Sequence, residues 1–299
     1  MKLGDTIRGL VRRSRPGGRA VVLAYHRVAD LPCDPDGTAI SPENFAEQVE
    51  WLARTRRIVP LDQIFSALAG GEEVAAISFD DAYLDFAVNA LPVLKKNSCP
   101  VTVFVSTGAV GAPREMWWDE LTRIMVPEAP PAGERPPTYL ASRSKAMGSL
   151  YRADPSRRSE IIGEMAARAG VDLKPRESHR VMSEEELRRL AGDGLISIGA
   201  HGVTHRPLNR LDAAVTRFEV CRSKSDCEEW TGRSVTMFAY PFGAADRNCR
   251  RIVAEAGFKM AFRINPGSVR AWSDPFMLPR LEVRDWTREE FRTALEGQI

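Results

Sequence analysis

The feature that most limits the fold of this 299-residue chain is an alternation. Short apolar runs of strand length are separated by stretches with helical periodicity. Ala20–His26, Val74–Phe79, Val101–Val105, Leu195–Ala200, Val235–Pro241, Phe258–Phe262 and Met277–Val283 make seven strand candidates. Between them, residues 42–57 predict a helix with Ser41 as N-cap, Pro42 at the first position and Phe45, Val49 and Leu52 on one face. Further helices are expected over 61–68, 86–96, 210–231, 245–256 and 287–297, and Ser183 with Glu186 reads as a capping box. A strand-then-helix rhythm of this kind builds a parallel sheet. It breaks between about residues 108 and 182, where Pro127, Pro130, Pro131, Pro136 and Pro137 predict a loop over 127–138. Helix-like stretches near 140–152 and 156–169 make this region a helical insertion between strands rather than a second domain.

Composition removes several classes. Forty-two basic against 40 acidic residues give a net charge of +2, so no bulk electrostatic case for nucleic acid exists. No apolar run approaches the roughly 18 residues of a membrane span. Five cysteines without a CxxC pair argue against a disulfide framework and a zinc ribbon. Residues 1–19 are basic and lack the apolar core of a signal peptide, which points to a cytoplasmic protein. Leu3, Ile7, Leu10 and Val11 recur at helical spacing, so residues 1–15 could instead touch a membrane surface.

Two places carry chemistry. The Val74–Phe79 run ends in Asp80-Asp81. Side chains alternate along a strand, so both carboxylates can serve one site only if the chain turns there. Adjacent carboxylates also resist joint ionisation unless a cation or a division of roles separates them. The plain alternative is that the pair caps a helix starting near Tyr83. Of four histidines, His201 and His205 follow the Leu195–Ala200 run. H-x3-H spacing predicts both imidazoles on one side of a helical turn, and one carboxylate would complete a His2Asp metal set. Such a site lowers the pKa of water and polarises a carbonyl. His179 lies in a polar stretch and reads as a surface residue.

Phe79-Asp80-Asp81, His201-Gly202-Val203-Thr204-His205 and Ala239-Tyr240-Pro241-Phe242-Gly243, in this order and spacing, resemble the polysaccharide deacetylase family, the NodB-homology carbohydrate esterases of family 4. The resemblance covers roughly residues 20 to 285. It implies an α/β fold, a distorted (β/α)7 barrel, and removal of an N-acetyl group from an amino sugar with a divalent metal, usually zinc. By it Asp80 is the general base, while Asp81, His201 and His205 hold the metal. The turn after Tyr240 and Pro241 offers the Phe242 N–H to an oxyanion.

Two departures follow. The family's proline turn usually carries a preceding arginine that pairs with the base; Ala239 stands there. Arg280, in Leu278-Pro279-Arg280, could supply that guanidinium or join the substrate side, or it could be a surface residue. The family's late histidine acid is also missing. Tyr25-His26 matches an early Y-H motif of a branch that includes poly-N-acetylglucosamine deacetylases, which makes His26 the general acid. A fourth metal ligand or a packed histidine are the competing roles. Trp117 and Trp118 could stack on a sugar or pack the insertion, and Asp285 and Trp286 could line the far side of the pocket. Alternatives to a polymer deacetylase are a deformylase or deacetylase of a lipid-linked or small amino-sugar precursor, and a catalytically idle carbohydrate-binding relative.

Overall fold

The computed structural model describes residues 17–126 and 137–298. The expectations for residues 1–15, and for the proline-rich stretch up to residue 136, lie outside the described residues. Pro137, expected in that loop, is the first residue of a helix.

Seven parallel strands form the body: β1 Arg19–Tyr25, β2 Glu73–Phe79, β3 Val101–Val105, β4 Ile196–Ala200, β5 Met237–Ala239, β6 Met260–Phe262 and β7 Leu281–Glu282. β1 pairs with β2 along its whole length, from Arg19↔Glu73 to Tyr25↔Phe79, and β3 to β6 follow in order. β7 lies on the other side of β1, and the Phe262↔Leu278 bridge brings its approach back to β6. The sheet therefore curls on itself as a distorted (β/α)7 barrel. β7 is shorter than the expected 277–283 because Leu278 and Arg280 make single bridges across to β6 and Asn265 instead of continuing one ladder.

Alternation explains the core. Val21, Leu23 and Tyr25 of β1 pack outward against the helices, while Ala20 and Val22 face the barrel interior with Ala76, Phe104, Met237, Phe262 and Leu278. Small residues are needed opposite the Phe104 ring: a Cβ on Gly199 would meet Phe104 Cδ1 at 2.4 Å.

The outer helices are α1 Pro42–Thr55, α2 Ile64–Ala69 and α3 Leu91–Lys96. The region between β3 and β4 holds α4 Trp117–Met125, α5 Pro137–Leu150 and α6 Pro155–Ala169, with their own small core of Trp117, Leu121, Leu150 and Ile162. α7 Glu184–Ala191, α8 Ala213–Thr231, α9 Arg247–Glu255 and α10 Arg288–Glu296 complete the chain. Ser41 caps α1 and the Ser183–Glu186 capping box opens α7, both at the positions expected. No helix among the described residues is long and apolar enough to cross a membrane.

Candidate active site

β2 sends Val74, Ala76 and Ser78 inward, and Asp80 continues that face. Arg280, fully buried, meets Asp80 with two parallel hydrogen bonds of 2.7 Å and reaches Ser78 Oγ at 3.1 Å. Regular strand would send Asp81 to the opposite face. Instead Asp81 (φ 69°) and Ala82 (φ 58°) are both left-handed, which turns the second carboxylate back to the same pocket. Each such non-glycine residue costs about 1–2 kcal/mol. The turn is braced from outside, since Met182 N donates to the Ala82 carbonyl at 3.0 Å and Leu84 N to the Arg180 carbonyl at 2.9 Å.

The two carboxyls differ electrostatically. Burial opposes ionisation of Asp80, but the Arg280 guanidinium, helped by His201 and His26, outweighs it and holds the group far below the usual carboxylate range. Asp81 is pushed up by burial, with Ser106 Oγ donating to it at 3.1 Å.

The histidines do not share a helical turn. His201 to His205 is a loop after β4 with Gly202 (φ 77°) and His205 (φ 48°) left-handed. Glu219 of α8 shapes it, accepting from Val203 N at 2.7 Å, Thr204 N at 2.9 Å and the Thr204 hydroxyl. Imidazoles four residues apart converge because the loop is tied down by this carboxylate, not because of helical spacing. His201 Nδ1 lies 2.8 Å from the Ala239 carbonyl, which can only accept, so Nε2 keeps its lone pair for the pocket. That Nε2 is 3.9 Å from Asp81 Oδ1, and His205 Nε2 is 3.3 Å from the same oxygen. Burial pulls His201 down to about 4 and His205 to about 3, so both are neutral at physiological pH, the ligating form. One donor atom from each of Asp81, His201 and His205 falls within 4.8 Å of the others, a set that could hold a divalent ion. A carboxylate, two neutral imidazoles and one fixed tautomer fit such an ion.

His26 follows β1 and places Nε2 3.9 Å from Asp80 Oδ2; its Nδ1 is buried without a hydrogen-bond partner among the described residues. These groups line a cavity of about 330 Å³ together with Tyr83, Trp118, Met147, Phe242 and Glu282. Rings wall it: Phe242 lies 4.4 Å and Trp118 4.8 Å from the His205 ring, centroid to centroid. Trp118 Nε1 donates to Tyr83 Oη at 2.9 Å, which donates to Asp119 at 2.6 Å, so the indole is fixed by a hydrogen-bonded chain.

Several expected residues stand elsewhere. Phe242 lines the pocket with its ring against His205 and has a left-handed backbone (φ 56°), but Tyr240 and Pro241 do not line it. Tyr240 is buried in register with β5 and its hydroxyl donates to the Phe276 carbonyl. Arg280 lies beneath Asp80 rather than on the substrate side. Trp117 packs the α4–α6 core under the Arg158 guanidinium, whereas its neighbour Trp118 lines the pocket. Asp285 accepts from Ser41 and Asn44 and ties down the start of α1, and Trp286 packs on the core. His179 is buried, not on the surface, although Lys174, Glu177 and Ser178 of the same segment are exposed, and Ser178 Oγ sits 2.9 Å from its Nδ1. Glu282, Met147, Tyr83 and Ile264 were not anticipated as pocket residues; Tyr83, two places after Asp81, is the one whose position offered a signal.

A curled parallel barrel with its ionisable groups gathered just beyond the C-terminal ends of its strands has the layout in which barrel enzymes carry their active sites. The chain belongs to the polysaccharide deacetylase family, whose model matches residues 68–128 and 161–261. YxkH of Bacillus subtilis (strain 168), which carries the polysaccharide deacetylase name, is 26% identical over 102 residues. That match spans 34% of this chain and 36% of the relative. Among solved structures, the Streptococcus pyogenes deacetylase PplD in complex with acetate superposes with a TM-score of 0.63 at 18% identity, over 93% of this chain and 98% of that one. IcaB from Ammonifex degensii gives 0.63 at 21% identity, over 95% and 98%. At these identities the likeness shows the fold.

Proposed function

We propose that the protein is a metal-dependent hydrolase that removes an N-acetyl group from an amino sugar in a polysaccharide, oligosaccharide or glycan precursor. The observation that carries this reading is the division between the two carboxylates: Asp80 clamped by Arg280, Asp81 facing two neutral histidines. Asp81, His201 and His205 would hold the ion, and an N2O set suits zinc. A divalent ion there would polarise the acyl carbonyl and acidify the attacking water.

The chain's own groups do the rest. Asp80 accepts the proton of the attacking water, and Arg280 keeps its carboxylate ionised and aimed. The Phe242 N–H, on a backbone fixed by the proline turn, donates to the developing oxyanion. His26 protonates the departing nitrogen, without which an amide anion would have to leave. Trp118 and Phe242 exclude water and pack the apolar face of the acyl-bearing sugar. The test is acetate release from a panel of N-acyl sugars, lipid-linked ones included, by protein stripped of metal and reloaded with zinc. Release by the zinc-loaded but not the stripped protein is expected. Equal release by both, or none from any acyl sugar, overturns the reading.

A further inference from the structure

The two histidines of the candidate metal set are held by different means. His201 is fixed through Nδ1, which donates to the Ala239 carbonyl at 2.8 Å. A ligating imidazole is ordinarily oriented in this way, by a hydrogen bond on the nitrogen turned away from the metal. His205 lacks that bond: its Nδ1 is buried, yet no other described residue gives it a hydrogen-bond partner. Glu219 holds the loop as far as Thr204, which places the His205 backbone but leaves its side-chain torsions open. The ring torsion of a histidine is intrinsically broad, so something else must select its orientation.

Aromatic rings make the selection. Phe242 lies 4.4 Å from the imidazole with an interplanar angle of 77°, and Trp118 4.8 Å away at 59°. Phe242 is 38% exposed and has no polar atom to pin it. Trp118 is pinned: its Nε1 donates to Tyr83 Oη at 2.9 Å, and Tyr83 donates on to Asp119 at 2.6 Å. Tyr83 is itself 2% exposed, with the Arg27 guanidinium 4.2 Å from its ring centre. It stands two residues after Asp81. The contacts therefore form a closed circuit. Asp81 leads to Tyr83 along the chain, Tyr83 holds Trp118, Trp118 meets His205, and His205 Nε2 returns to Asp81 Oδ1 at 3.3 Å. Without the indole, the imidazole keeps only the half-exposed Phe242 ring and the His201 ring, 4.8 Å away.

We infer that Trp118 is the positioning residue for His205, an aromatic contact doing for this ring what a hydrogen bond does for His201. The inference rests on the metal reading of Asp81, His201 and His205. It gives α4, which carries none of the three donors, control over affinity for the ion. The experiment compares wild type, Trp118→Leu and Leu121→Ala by two measurements: zinc affinity in competition with a chelator, and NMR relaxation of the imidazole nitrogens in metal-free protein. Trp118→Leu should weaken zinc binding about tenfold or more, the usual effect of removing what orients a ligand. Its His205 ring should sample several orientations while the hydrogen-bonded His201 ring stays fixed. Leu121→Ala, in the α4–α6 core rather than against His205, should keep the wild-type affinity. Unchanged zinc affinity in Trp118→Leu, a fixed His205 ring in that variant, or an equal fall in Leu121→Ala overturns the inference. Should Trp118→Leu not fold, Tyr83→Phe releases the indole instead and is read in the same way. If the wild type binds no zinc, the metal reading has failed, and the ring measurement decides alone: order lost with the indole supports the positioning role, and a ring equally ordered without it refutes it.

Discussion

The pocket is divided between two regions that use different physics. At its centre Asp80, Asp81, His26 and His201 all follow barrel strands, while the α4–α6 helices contribute Trp118 and Met147 as wall. Strand ends position groups by register, a local property with period two. The helices position groups by packing across long separations, and they do so over their own core of Trp117, Leu121, Leu150 and Ile162. The barrel side is therefore polar and electrostatically polarised, and the helical side is apolar. In chain terms the family match skips residues 129–160, which fall within the helical region. The match takes in Asp80, Asp81, His201, His205 and Trp118, while His26, Met147 and Arg280 lie outside it.

The sharpest way to break this division is at Asp80. Asp80→Asn still offers Arg280 an oxygen but cannot accept a proton, so turnover should fall on the order of 10²–10⁴-fold with bound zinc unchanged. Zinc lost from the variant, with activity restored by excess metal, would move Asp80 among the ligands. The barrel side can next be tested for stability alone. Arg280→Met leaves a buried carboxylate unopposed, a change that costs about 3–5 kcal/mol in denaturant unfolding. A loss below about 1 kcal/mol would show that water reaches this pair.

The helical side should respond differently. Leu121 is fully buried in the α4–α6 core, and Leu121→Ala should cost about 2–5 kcal/mol there. Hydrogen exchange should speed up in α4–α6 amides while β1 to β4 keep their protection. Uniform loss across the barrel would mean the two regions unfold as one unit.

This contrast also explains what was legible in the sequence. Asp80 and Asp81 stood out because apolar runs mark strand ends, and the need for a turn between them followed from alternation. Its realisation, two consecutive left-handed residues, did not, since the 180–182 segment that braces them is a hundred residues away. His201 and His205 were found by spacing, yet the geometry behind the spacing was misread. The loop is folded by Glu219, whose role no local pattern announces. Arg280 was visible as a cation near a strand, but only the closed barrel places it under Asp80. Trp117 and Trp118 are neighbours in one helix turn, and sequence alone gives no basis for choosing which enters the pocket. His179 failed for a related reason: a polar stretch is read as solvated unless the surface that buries it is known.

The smallest effect expected lies where the two regions meet. Met182 and Arg180 brace the Asp81–Ala82 turn, and directly after them α7 opens on the Ser183–Glu186 capping box. Glu186 also accepts from Arg180 at 2.8 and 2.9 Å. That pairing, with the Ser183 backbone and hydroxyl, outweighs partial burial and lowers its carboxyl to about 2, from the ordinary 4.5. A depressed carboxyl stabilises the fold above its unfolded value and loses that contribution as pH falls from 4.5 through 2. The side chain is 27% exposed, so solvent screening limits the effect to about 1 kcal/mol. Glu186→Gln should therefore be less stable than wild type at pH 7, with the gap closing as the buffer approaches pH 2. Because this cap holds the segment that supports the strained turn, the variant should also loosen exchange at the Met182 amide at pH 7, where α4–α6 amides are unaffected. A stability gap that stays constant down to pH 2 would assign the cost to the capping geometry rather than to the charge.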